Sequence, residues 1–161
     1  MNAMIETVKE VHKEDVCLFK IGSFYHTYGR DAYILSYMFG YKVKNIGEST
    51  KECGFPINVV SKIKARLENN KINYLVIDNR NNFEVDEKSD NGNLNRYSAT
   101  YEKARNYINY KVRIDGINNF LLENLEKKDF RKLLGKIEEI IYEDREVQSN
   151  WVYKESYFSD R

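Results

Sequence analysis

The chain has 161 residues, 42% of them hydrophobic and 32% charged, which is enough for about one domain with a core of its own. With 26 basic and 25 acidic residues the net charge is +1, so the chain lacks the basic excess of a tight nucleic-acid binder but can still carry a local basic patch. There is no apolar run of about 18 residues and no signal-peptide pattern. The two cysteines, Cys17 and Cys53, do not make a disulfide framework or a zinc site, and the two histidines, His12 and His26, leave little for metal ligation by nitrogen. We therefore expect a cytoplasmic protein with no membrane contact and no cofactor.

Residues 1–88 alternate between helical and strand patterns, in the order α-β-α-β-β-α-β-β. Apolar side chains recur at helical spacing over residues 4–14, 30–39 and 58–69. Short runs rich in β-branched and aromatic residues predict strands at residues 16–21, 41–46, 52–57, 74–77 and 83–85. Residues 22–29 are predicted to be a tight connection from a strand to a helix. Helices that alternate with a small mixed sheet predict an α/β or α+β fold.

Residues 96–147 show helical patterns throughout, after a loop of turn-forming residues at 89–95. Apolar stripes run along residues 97–112, 117–125 and 130–141, and each stripe needs a partner surface: another stripe, the sheet or another chain. The aromatic-rich tail at residues 151–158 fits an ordered docking segment and a mobile partner-binding tail equally well. The predicted organisation is an α/β domain at residues 1–88 and a helical extension with this tail at residues 96–161.

The sequence offers little for catalysis. It contains no P-loop, no Gly-x-Gly-x-x-Gly after a strand and no Gly-x-Ser-x-Gly elbow. Cys17 lies in an apolar strand, which predicts a buried small side chain, and Cys53, which could be exposed near a sheet end, has no evident activator. Acidic pairs such as Asp86-Glu87 are typical of a solvated surface. We therefore predict that the protein is not an enzyme; a small enzyme would have to be built around His26.

The most informative segment joins the first strand to the following helix. It reads Lys20-Ile21-Gly22-Ser23-Phe24-Tyr25-His26-Thr27-Tyr28-Gly29-Arg30-Asp31-Ala32. This stretch resembles the N-terminal mismatch-recognition domain (domain I) of the MutS family of DNA mismatch repair proteins, in which a strand ends in Gly-Asp-Phe-Tyr-Glu and is followed by an aromatic residue, Gly-x-Asp-Ala and a helix. Seven residues fall in register with that pattern: Gly22, Phe24, Tyr25, Tyr28, Gly29, Asp31 and Ala32.

A second block follows in the family's order. The family has a strand that ends in a Gly-hydrophobic-Pro step, then a helix with a Leu-rich face and a short apolar strand. Here these are Gly54-Phe55-Pro56, residues 59–67 and residues 74–77. The resemblance covers roughly residues 4–85, and it implies a free-standing domain I-like fold that is joined to an unrelated helical extension.

The resemblance also implies a role for Phe24. In the family, the Phe of a Phe-x-Glu motif wedges into the DNA from the minor groove and stacks on a mispaired base, while the Glu hydrogen-bonds that base. Such wedging costs least where the duplex is already weakened. By position Phe24 is the wedge and His26 replaces the Glu. Histidine can donate, accept or stack but cannot supply a carboxylate, so the sequence predicts a looser nucleic-acid contact and leaves mismatch specificity open.

Cations near this segment can hold phosphates, and Lys62 and Arg66 lie one helical turn apart, as a phosphate-facing row requires. A solvated helix face explains the same pair. Further candidate cations are Lys42, Lys44 and Lys64. The predicted nucleic-acid-binding residues are Phe24, Tyr25, His26, Lys20, Arg30, Lys62 and Arg66.

Two functions follow from these patterns. The first is a non-catalytic accessory protein that binds nucleic acid, with DNA favoured, beside a protein partner that supplies catalysis and without the ATPase and clamp domains of MutS. The second is a protein–protein adaptor that uses the domain I fold as a scaffold, which the balanced charge and the 13 tyrosines favour. A homodimer through the C-terminal helices would double the basic surface and add avidity.

Overall fold

The computed structural model describes residues 3–46 and 50–143. Six strands form one mixed sheet in the order β3-β4-β2-β1-β5-β6, in which β1 and β5 are parallel and the other neighbours are antiparallel. The strands are β1 Val16–Ile21, β2 Phe24–Tyr28, β3 Lys44–Ile46, β4 Thr50–Pro56, β5 Tyr74–Asp78 and β6 Val85–Lys88. The helices are α1 Ala3–Val11, α2 Arg30–Phe39, α3 Val60–Asn69, α4 Tyr97–Glu123 and α5 Phe130–Glu143. This architecture confirms the predicted α/β fold class, while the predicted tail at residues 151–158 lies outside the described residues.

The prediction of a tight connection at residues 22–29 is wrong, because this segment contains strand β2. Gly22 and Ser23 form a two-residue loop, after which Ile21 and Phe24 are paired across an antiparallel hairpin. Only the first loop residue, Gly22, has a positive φ, of 61°, which is the pattern of a type II′ turn. Gly22 and Gly29 therefore flank the second strand of a hairpin. The observed order of elements contains one strand more than the sequence predicts.

Both faces of the sheet are covered by helices. One face buries Leu18, Phe55 and Val76 beneath α2, α3 and the start of α4. The other face buries Phe19 and Leu75 beneath α1. Helices on both faces explain why the central strands are almost continuously apolar in sequence.

The two cysteines lie inside these cores. Cys17 is fully buried, as predicted from its apolar strand. Cys53 is also buried, which corrects the expectation that it could be exposed: its side chain points into the helix-covered core from β4. Burial raises the pKa of the Cys53 thiol to about 12, so the thiol is not an activated nucleophile.

The chain divides into two compact units, residues 1–112 and residues 113–161. Helix α4 begins in the first unit, where Tyr97 and Ala104 are fully buried. The first residues of the segment that the sequence assigns to the extension, 97–104, therefore contribute to the core of the α/β unit. Among the described residues, no helix has the length and apolar composition of a membrane-spanning segment.

Candidate nucleic-acid interface

Side chains alternate between two environments along β2, because successive residues of a strand point to opposite faces. Phe24, at the start of the strand, is 48% exposed. Tyr25 is only 7% exposed, and its ring stacks on Phe55 of β4 at a centroid distance of 5.6 Å. The neighbouring aromatic residues thus separate into one exposed ring and one core ring.

Phe24 lies at a pocket of about 330 Å³ on the sheet surface. The pocket is lined by Phe24 and His26 of β2, Glu52 and Gly54 of β4, and Lys42 and Lys44 on or beside β3. The rings of Phe24 and His26 lie 6.4 Å apart. An exposed ring is thereby combined with two cations, one carboxylate and one imidazole in a single shallow site.

A carboxylate within this pocket has two neighbours. His26 Nδ1 lies 2.6 Å from Glu52 Oε1, and the Tyr28 hydroxyl lies in the electrostatic environment of the same carboxylate. Burial, together with the nearby Glu52 charge, raises the pKa of Tyr28 to about 12, so its hydroxyl remains a donor at neutral pH. Glu52 is paired with Tyr28 across the β2–β4 ladder and with Lys44 across the β3–β4 ladder. The strand register therefore fixes the position of Glu52.

Gly54 leaves one flank of the imidazole open. It is paired with His26 across the β2–β4 ladder. A Cβ atom at this position would lie 3.6 Å from Cε1 and Nδ1 of His26. Because glycine has no side chain, a ligand can approach the ring from this side.

The family model of MutS domain I matches residues 1–112. The chain belongs to the MutS domain I family. The match extends past residues 4–85, where the sequence resemblance was seen, and ends where the first compact unit ends. No curated protein matches the chain. Domain I is a non-catalytic, mismatch-recognition-like DNA-binding domain, and the family match indicates a domain of this kind at residues 1–112.

Within the MutS domain I-like part of this chain, the residues of the Gly-x-Asp-Ala motif stabilise the fold. Gly29 adopts φ 57°, a conformation that favours glycine, where the chain leaves β2 and enters α2. Asp31 is fully buried, lies 2.7 Å from Lys9 Nζ, and accepts hydrogen bonds from the Cys17 N–H at 2.9 Å and the Tyr97 hydroxyl at 2.6 Å. Burial raises the pKa of the Asp31 carboxyl, and these three donors oppose that shift. Asp31 thus connects α1, β1, α2 and α4.

The other predicted site residues lie away from the pocket. Tyr25 is in the core, Lys20 pairs with Asp78 at 3.3 Å, and the Arg30 guanidinium lies 5.1 Å from the Tyr101 ring centroid. On α3, Lys62 is exposed, and the Arg66 guanidinium lies 5.1 Å from the ring centroid of Phe39. Of the seven predicted residues, the structure therefore places only Phe24 and His26 in the pocket of domain I.

Sequence reasoning missed Glu52 and Gly54 as pocket residues. Lys42 and Lys44 were among the candidate cations, but nothing in the sequence separated them from the lysines of α3. The signal that could have found Glu52 is the pairing of β2 with β4, which requires β2 to be recognised as a strand. Once Tyr25 is aligned with Phe55, the register places Glu52 beside His26.

Proposed function

We propose that this protein is a DNA-binding accessory protein and that its domain I contacts DNA through the pocket face of β2. The observation that carries the proposal is the half-exposed ring of Phe24 at the rim of a pocket with two lysines, in a chain of the MutS domain I family. In this proposal Phe24 stacks on a base that is displaced or weakly paired. Lys42 and Lys44 contact the phosphates next to that base. The protein acts in the cytoplasm, without ATP, beside a partner that supplies catalysis.

The proposal also gives the His26–Glu52 pair a role in reading the base. The sequence alone placed a histidine where the family motif has Glu, and the resulting lack of a carboxylate left mismatch specificity open. The Glu52 carboxylate lies on the adjacent strand, 2.6 Å from His26 Nδ1. With Nδ1 donating to Glu52, the other ring nitrogen is directed away from the carboxylate and can hydrogen-bond a base. Carboxylate and imidazole then act together at one position.

Replacing Phe24 with alanine tests the stacking role directly. We expect Phe24→Ala to lose about 1–3 kcal/mol of binding free energy, the range found when a stacked aromatic side chain is removed. This loss corresponds to an increase of about 5- to 150-fold in the dissociation constant. Fluorescence anisotropy with matched duplex, mismatched duplex, single-stranded DNA and structured RNA measures this change and identifies the preferred ligand.

Tyr110→Ala is a suitable control for Phe24→Ala. Tyr110 is 61% exposed and lies on α4 within the same compact unit, outside the pocket. The Tyr110→Ala variant should bind the preferred ligand as tightly as the wild type does. Equal losses in the two variants would mean that the anisotropy reports a nonspecific aromatic contact. Binding that Phe24→Ala leaves unchanged would show that Phe24 is not the stacking residue.

The salt dependence of binding can locate the phosphate contacts. Each phosphate neutralised on duplex DNA contributes about 0.9 to the slope of log K against log salt concentration. We expect Lys42→Gln/Lys44→Gln to reduce the size of the slope by about 2, because both side chains line the pocket. The matched variant Lys62→Gln/Arg66→Gln removes the same charge from α3 and should leave the slope unchanged. The opposite pattern would place the DNA on α3.

The adaptor function remains a second proposal, and one observation favours it. In the second compact unit, Ile114, Ile117 and Phe120 on the distal part of α4 are all more than half exposed. Apolar side chains that cluster at a surface are typical of interaction sites.

A further inference from the structure

The second compact unit lacks a core of its own in the part that the structure describes. Between residues 113 and 143, no apolar side chain is buried. Phe130, Ile137 and Ile141 on α5 are only half-buried, although they form the centre of its apolar stripe. A helix with such a stripe gains most of its stability by packing it against another surface. This helical hairpin therefore needs a further covering element.

Within the described part of this unit, an open groove lies between α4 and α5. It has a volume of about 510 Å³. It is lined mainly by Gly116, Ile117, Phe120, Leu121, Leu133 and Ile137. Gly116 presents no side chain, and apart from its chain neighbours and the backbone of its own helix, nothing lies within 4 Å of where its Cβ would be. The groove can therefore admit apolar side chains of another helix.

The edge of α5 beside this groove carries charge of opposite sign at its two ends. Lys132, Lys136, Glu139 and Glu143 are spaced by four, three and four residues, so they form one stripe along the helix. A parallel apolar stripe contains Leu133, Ile137 and Ile140 at the same spacing. Leu133 and Ile137 line the groove, and Ile140 is 70% exposed. The lysines lie in the first half of α5 and the glutamates in the second half.

This pattern is self-complementary only in the antiparallel orientation. If two copies of α5 are paired antiparallel about a centre between Ile137 and Glu138, Lys132 of one copy lies opposite Glu143 of the other, and Lys136 lies opposite Glu139. A parallel pair would place lysine on lysine and glutamate on glutamate. In a two-fold symmetric dimer, the lysines of each copy contact the glutamates of the other copy, so the same ion pairs form twice.

We propose that the apolar groove of the hairpin binds a second copy of this chain, through an antiparallel contact of α5 with its symmetry mate. The resulting four helices bury the apolar stripes of both copies in one bundle. The proposal does not depend on DNA binding. If domain I binds DNA as proposed above, the dimer presents two binding faces and increases the avidity for DNA.

Sedimentation velocity on the full chain tests this proposal. The wild type should sediment as a species of twice the 19.1 kDa chain mass. Lys132→Glu/Lys136→Glu makes the stripe wholly acidic, and Glu139→Lys/Glu143→Lys makes it wholly basic. Each variant alone should weaken the dimer at least about tenfold, because like charges then face each other.

Two further samples show whether a variant loses the dimer because its charges repel or because it fails to fold. An equimolar mixture of the acidic and basic variants should form a heterodimer. The four-fold variant with both exchanges should regain the homodimer. Circular dichroism on each variant verifies that the helices are retained. A monomeric wild type would overturn the proposal and leave the groove to a different occupant, and so would reversal variants that dimerise like the wild type or a mixture that stays monomeric.

Discussion

Asp31→Asn should lower the free energy of unfolding by about 3–5 kcal/mol, the range for removing one partner of a buried ion pair. Asp31 is fully buried and lies 2.7 Å from Lys9 Nζ, whose side chain is only 17% exposed. The amide is close in shape to the carboxylate but carries no charge, so the partly buried Lys9 ammonium would lose its counter-ion and keep only its hydrogen bonds to the His12 and Asp15 carbonyl oxygens. Denaturation by urea, followed by circular dichroism, measures the change.

Lys9→Met/Asp31→Asn is the matched control for that prediction. It removes both charges while keeping a long apolar side chain at residue 9. We expect the double variant to be more stable than Asp31→Asn alone, since no charge is then left unpaired. If Asp31→Asn were as stable as the wild type, the ion pair would not stabilise the fold, and the Gly-x-Asp-Ala motif would need another explanation.

Tyr25→Ala should lower the free energy of unfolding by about 3–5 kcal/mol, as expected for truncation of a large aromatic side chain in a core. Tyr25 is 7% exposed, and its ring stacks on Phe55, which in turn stacks on Tyr41 at 5.8 Å. Tyr25→Phe keeps the ring and should retain nearly the full stability. Thermal and urea unfolding of both variants provide the measurement.

Variants at Phe24 and Tyr25 should differ in their effects: those at Phe24 change binding, and those at Tyr25 change stability. Both residues were predicted to bind nucleic acid, and they are adjacent in sequence. Phe24→Ala should change stability little, because nearly half of the ring is already in water. Tyr25→Phe should bind the preferred nucleic acid like the wild type. A stable Tyr25→Ala protein with weakened binding would instead return Tyr25 to the site.

Local patterns predicted most of the elements correctly, because each pattern reports the periodicity of one helix or strand. The apolar run of β5 and the helical spacing of α2 are examples. The sequence pattern does not predict strand β2, because its five residues, Phe24–Tyr28, lie between two glycines and have the pattern of a tight connection. These residues form a strand because they pair with β1 on one side and with β4 on the other.

The sequence by itself determined the fold class, the family and the candidate wedge Phe24, since these depend on periodicity and on motif residues close together in the chain. The tertiary structure decided which side chains share a site. Glu52 meets His26 from 26 residues away, and Tyr97 meets Asp31 from 66 residues away. Such contacts depend on strand register and on helix packing, which no local pattern encodes. For the same reason, only the fold could place Tyr25 in the core and Lys42 and Lys44 beside Phe24.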